Sequence, residues 1–256
     1  MKIILNFIIV FTLICLITCK KDTSPLITIQ SEFSSSDDSG ISDSIRSLYK
    51  SDAAYLAFRH IYANKLADTS LVNIPQDLID SFYGGLIHIY KCKSISSIDT
   101  IARIYPVHVF PYQSLYRLIV GFDTSYAWTK QWQDGFTITG NDSIDSLVSE
   151  YEFELSRKAR YGFAVLITKI PLNMWALGKV FNKVAGVKSA YPDGAIGSGN
   201  NIIASLYLNH KEYTFTIGWG DCPAGCINRR FWDYIVTSSG EVKYLGSYGD
   251  SLPSTM

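Results

Sequence analysis

The strongest constraint on this chain lies near its C-terminal end. Between residues 213 and 219, Tyr213, Phe215, Ile217 and Trp219 alternate with Thr214, Thr216 and Gly218. A period of two sends successive side chains to opposite faces of a strand, so this segment is read as half-buried sheet. Apolar runs at 202–208 and 231–237, with the turn Ser238-Ser239-Gly240 before a run at 242–245, extend it to a four-stranded antiparallel meander. Cys222 and Cys226 fall between the second and third strands, separated by Pro223, Ala224 and Gly225. Proline presets a turn and glycine accepts a positive φ, so the two sulfurs can meet. A disulfide there would pin the strand register. Two other chemistries compete for the pair. A redox site usually has two residues between its cysteines, and here there are three. A zinc site would need histidines, yet His60, His88, His108 and His210 show no ligand spacing.

Upstream of the meander, residues 112–193 are read as βαββαβ. Strands are expected at 116–122, 151–156, 163–168 and 187–191. One helix follows a cap at Asn141 or Asp142, and a second follows Pro171-Leu172-Asn173 and ends at Ala185-Gly186. This is the ferredoxin-like order, also used by propeptides and inhibitors of some serine proteases, on a fold that hosts many unrelated activities. Residues 45–105 are read as helical. Asp52 is the expected cap of a helix through Leu66, and Pro75 opens a second carrying Leu78, Ile79, Phe82, Leu86 and Ile89 at spacings of three and four. A short helix is expected at 97–104. The fold class is therefore α+β, with a helical segment at 45–110 joined to an α+β domain at 111–256.

The N-terminal end is of another kind. Of residues 1–19, fifteen are hydrophobic, and one lysine precedes the run. That layout is a signal peptide, too short for a permanent membrane-spanning helix. Leu16-Ile17-Thr18-Cys19 resembles the lipobox of bacterial lipoproteins. The resemblance implies removal of residues 1–18, acylation of Cys19 (palmitate among its acyl chains) and anchoring in a membrane. Lys20 follows where an inner-membrane retention signal would have aspartate, which favours the outer membrane of a Gram-negative cell. Residues 19–44 are read as a Ser/Asp-rich tether, since 31–44 hold seven serines and four acidic residues.

The densest local motif is Gly218-Trp219-Gly220-Asp221-Cys222-Pro223-Ala224-Gly225-Cys226, followed by Arg229 and Arg230. It resembles a stretch found in a family of uncharacterised bacterial secreted proteins and lipoproteins. The segments at 141–151 and 173–186 are similar to that family too. The resemblance implies kinship and carries no mechanism. Read physically, Trp219, Asp221 and Arg229 form a candidate recognition site at one end of the sheet, with a capped turn as the plainer reading. The glycine-rich stretch 193–201 lacks the lysine and the following helix of a phosphate loop. Asp193 is a weak calcium candidate there. His108, between Val107 and Val109, reads as a core or edge histidine. Cys92 reads as a buried thiol. Trp128, Trp132 and Tyr126 are read either as a stacking platform or as packing.

With 23 basic and 23 acidic residues the chain carries no net charge, which argues against nucleic acid as a partner. No catalytic constellation, cofactor motif or metal-ligand spacing stands out. The expected function is a non-catalytic binding or interaction module at the envelope, with a protein, peptide or glycan as ligand and protease inhibition as one form. The alternative is a hydrolase with dispersed residues such as Asp221, His108 and an arginine.

Overall fold

A computed structural model describes residues 37–64 and 70–253. The expected leader, the expected lipid site Cys19 and the expected tether as far as residue 36 lie outside the described residues. The chain is held against its own fold from Asp37 onward, before the expected boundary at residue 45. Lys91 Nζ donates to the carbonyls of Asp37 and Ser39, Tyr83 Oη donates to Asp38, and Ile41 is buried.

Helix α1 (Asp43–Asn64) starts well before Asp52. Ser42 is its cap, with its Oγ accepting from Ile45 N and its carbonyl from Arg46 N. Asp52, expected as a cap, sits inside the helix and is buried. Helix α2 (Gln76–Lys91) opens after Pro75 and buries Leu78, Ile79, Phe82, Leu86 and Ile89, the stripe expected from their spacing. Cys92 follows it, half-buried rather than buried, with Sγ 3.3 Å from Ser94 Oγ. Helix α3 (Ser97–Asp99) continues into a π-helical turn at Thr100–Ile104.

The middle of the chain forms β1 (Arg117–Phe122), α4 (Thr129–Asp134), α5 (Asp142–Glu150), β2 (Glu154–Leu155), β3 (Phe163–Ile167), α6 (Met174–Phe181) and β4 (Val187–Pro192). The sheet order is β2-β3-β1-β4, and every adjacent pair is antiparallel. This is the ferredoxin-like arrangement. Helix α4 was not expected, and β2 is two residues long where a six-residue strand was. Asn141 caps α5 by accepting from Ser143 N and Ile144 N. Asn173 caps α6 by accepting from Ala176 N. The inward side chains of the sheet, Leu118, Val120, Phe122, Ala164 and Leu166, join Trp132, Ile144, Leu177 and Phe181 in one core. Each large apolar side chain fully buried there stabilises the fold by about 1.5–3 kcal/mol.

The last segment is the meander, β5 (Asn201–Leu206), β6 (His210–Trp219), β7 (Asn228–Thr237) and β8 (Val242–Gly249), in that order and antiparallel throughout. Tyr213, Phe215 and Ile217 point inward as their alternation requires, together with Trp232, Tyr234 and Val236. They pack on the α1/α2 pair. A Cβ at Gly85 of α2 would lie 2.1 Å from Tyr213 Oη, so that glycine is what lets the sheet approach the helix.

Side chains of α1 hold an extended segment between α3 and β1. Asp52 accepts from Val109 N at 2.8 Å and lies 2.7 Å from His108 Nδ1. About two turns further along α1, Arg59 donates to the carbonyls of Phe110 and Ile202 and to Asn201 Oδ1. The bonds to Val109 N and Phe110 O satisfy backbone groups of a segment that belongs to neither sheet. The described residues form one compact unit. Among the described residues no helix is long and apolar enough to cross a membrane.

Candidate recognition site

Cys222 and Cys226 form a disulfide with Cα atoms 3.9 Å apart, in a short 3₁₀ turn between β6 and β7. The residues around it explain the local sequence. A Cβ at Gly218 would lie 2.7 Å from Cys226 Sγ, so the bridge folds back over a strand position that has no side chain. Gly225 takes φ +107°, which only glycine adopts readily.

This clipped turn is fastened to the glycine-rich loop at 193–200. Ser198 N donates to Cys222 O at 2.8 Å, and Gly218 N donates to Asn200 Oδ1 at 3.2 Å. The Arg229 guanidinium donates to Ser198 Oγ and to Gly199 O. Asp193, the calcium candidate, is engaged on both oxygens by Arg117 Nε and Gly194 N. Two apolar side chains stand out from the joined loops, Ile196 at 95% exposure and Ile227 at 73%.

The three residues read as a recognition site take different roles. Trp219 is half-buried at the end of β6, opposite Asn228. Asp221 is exposed. Arg229 is turned to the neighbouring loop. Among the described residues no hydrogen bond or ion pair joins Asp221 to Arg229. His108 is not with them either, since its ring is bound to Asp52 and sits 5.6 Å from the Tyr49 ring. Burial, with the Asp52 charge adding to it, pushes the Tyr49 phenol well above its usual range, so it stays protonated. Asp52 and His108 form a hydrogen-bonded brace between α1 and the extended segment, with the Tyr49 ring against the imidazole. Among the described residues no group of three or more His, Cys, Asp or Glu converges as a metal site would require.

Trp128 and Trp132 are packing residues. Both are buried, their rings meet edge-on at 5.2 Å, and their indole N–H groups donate to the carbonyls of Ala185 and Thr137. Tyr126 alone of that group is exposed.

A surface that the sequence reading missed is the outward face of the first sheet. Helix α6 packs on the inward face of β1 and β4. On the other side Ile119 of β1 lies between Val165 of β3 and Tyr191 of β4, flanked by Ile167 and Phe163. Ile119, Val165 and Ile167 are half-exposed, while Phe163 is 47% and Tyr191 37% exposed. The run 116–122 was read as a buried strand. It is buried at Leu118, Val120, Gly121 and Phe122, and the apolar Ile119 among them is part-exposed on the outward face. The signal for this was present in Phe163-Ala164-Val165-Leu166-Ile167, where apolar side chains fill both faces. Compared with known protein families, with curated proteins and with solved structures, the chain shows no match.

Proposed function

We propose that this chain is an exported lipoprotein, anchored through an acylated Cys19 to the outer membrane of a Gram-negative envelope. Its folded part is a non-catalytic module that binds another protein through the open face of its first sheet. The observation that carries this reading is the cluster of Ile119, Phe163, Val165, Ile167 and Tyr191 on one flat, hydrogen-bonded surface. A contiguous apolar patch of this kind on a soluble unit marks a contact surface, and its aromatic content suits the centre of a protein interface. The absence of net charge in the whole chain leaves recognition to shape more than to charge. A disulfide between Cys222 and Cys226 is in keeping with an oxidising compartment. The kinship expected from the segment around that disulfide belongs to the same reading.

The ferredoxin-like strand order keeps a serine protease among the partners to be tried. The hydrolase alternative has no mutual contact among Asp221, His108 and Arg229 behind it.

Two measurements test the proposal. A Cys19→Ala chain should lose incorporation of a palmitate analogue and leave the membrane fraction; unchanged labelling would remove the anchor. Val165→Glu places a charge at the centre of the open face while leaving the inward core intact. Cross-linking on intact cells should join the wild-type chain to a defined protein, and the substitution should abolish that product with the thermal midpoint unchanged. A product that survives Val165→Glu would rule out this face.

A further inference from the structure

A cleft of about 780 Å³ opens between the first half of α1, the start of α2 and the link from β3 to α6. None of its lining residues belongs to the open sheet face. Small-molecule sites occupy roughly 300–1,000 Å³, so the space suits a ligand the size of a sugar or a dipeptide. Its walls are polar on one helix face, because Asp43, Arg46, Ser47, Lys50 and Ser51 recur at spacings of three and four along α1.

The bonding within the cleft is unequal between donors and acceptors. Asp43 is paired with Arg46 at 3.2 Å, and Arg46 Nη2 also donates to Ile41 O. Asp80 accepts from Gln76 Nε2 at 2.8 Å through one oxygen. Lys50 touches only the Tyr83 ring, 5.7 Å from its centroid, and Lys169 has no ion pair among the described residues. Arg46 Nε is buried with no acceptor. Two ammonium groups with no ion pair among the described residues therefore line one space, while the Arg46 Nε behind them is buried. Beside them, the second oxygen of Asp80, the Gln76 amide and the Ser47 hydroxyl are groups that bind sugar hydroxyls. Ile79 and Pro171 supply apolar surface for the C–H face of a ring.

We propose that this cleft binds an anionic sugar, a polyol ring carrying a carboxylate or a phosphate. Lys50 and Lys169 take the anionic group, and Asp80, Gln76 and Ser47 take the hydroxyls. Charge-assisted hydrogen bonds of this kind are about twice as strong as neutral ones, so the two lysines set the preference for an acidic ligand over a neutral one.

The test is calorimetric titration of the full chain in a sugar-free non-ionic detergent with glucuronate, glucose 6-phosphate and glucose. Binding of either anionic probe, with glucose at least about tenfold weaker, supports the site, and the stronger of the two identifies the anionic group. Lys169→Ala should weaken that probe about tenfold or more and Lys50→Ala similarly, while Val165→Glu leaves it unchanged. Both lysine variants change exposed side chains, and an unchanged thermal midpoint establishes that they fold. Failure of both anionic probes to bind, equal binding of glucose, or affinity unmoved by both lysine substitutions would overturn the proposal. Because Val165→Glu disables the protein-binding face alone, failure at one surface is distinguishable from failure at the other.

Discussion

Lys211 is the residue whose position sequence logic half reveals. The period of two that sends Tyr213 inward sends Lys211 inward as well, but a lysine at a strand's start reads as solvated. In the structure it is 1% exposed and donates to Ser81 O on α2. Burial pushes its amine down to about 7 from an ordinary 10.5. His88 of α2 lies near it, and burial, with the Lys211 and Lys91 charges adding to it, lowers the His88 imidazole. Between pH 7 and 10.5 the unfolded chain holds a proton on Lys211 that the folded chain gives up, so unfolding takes up a proton. Stability therefore rises with pH across that window and levels off below it, where both states are protonated. The urea midpoint should increase between about pH 7 and about pH 9, and Lys211→Met should flatten that slope. An unchanged slope in the variant would assign the dependence to another group. Asn141 and Asn173 contrast with this lysine. Asn173 stands directly before an apolar run and Asn141 directly before the spaced Ile144, Leu147 and Val148, so the capping role of each was readable. The second role of Asn173, donating through Nδ2 to Leu71 O at 3.0 Å, depends on a residue 102 positions away and left no local trace.

At the scale of elements, those with a strong local pattern were legible and those made by tertiary contact were not. The four meander strands, α2, α5 and α6 follow from alternation or from spacings of three and four. The early start of α1 was hidden because Ile45-Arg46-Ser47-Leu48 has no clear apolar stripe, and Ser42 lies in a serine-rich stretch. Helix α4 was hidden because its six residues are held by the buried Trp132 rather than by propensity. Strand β2 shrank because its pairing with β3 covers only Glu154 and Leu155. The contact between α2 and β6 gives this scale its prediction. A methyl at Gly85 would overlap the Tyr213 ring, and Tyr213 is fixed by its hydrogen bond to Phe82 O at 3.0 Å. Alanine normally favours a helix over glycine by about 1 kcal/mol. Here overpacking outweighs that gain, and Gly85→Ala should lower stability by about 1–3 kcal/mol in chemical denaturation. Tyr213→Phe in the same chain should restore part of the loss, because it removes the nearest atom. No recovery would mean that the backbones, not the ring, set the clash.

Over the whole molecule, the α1/α2 pair is the joint between two sheets that do not share a strand. It meets the meander through Gly85 and Tyr213, and the ferredoxin-like unit through Asn173, whose N donates to Val72 O and whose Oδ1 accepts from Tyr62 Oη. Arg59 ties α1 to two other parts of the chain at once, since its guanidinium reaches three acceptors, Phe110 O before β1 and Asn201 Oδ1 and Ile202 O at the start of β5. Desolvation lowers its pKa, but an arginine stays charged at any working pH. Lysine keeps the charge and lacks the planar fork, so it cannot serve all three acceptors. Arg59→Lys should then cost about 2–4 kcal/mol, the sum expected for partly buried acceptors left short of a charged donor. Because the described residues form one unit, the loss should move a single melting transition downward without dividing it. A calorimetric trace that splits into two steps in the variant would mean that the meander and the ferredoxin-like sheet fold independently, with Arg59 merely docking them. A single step at a lower midpoint would mean that the disulfide-clipped loops, the open sheet face and the polar cleft all depend on one cooperative core.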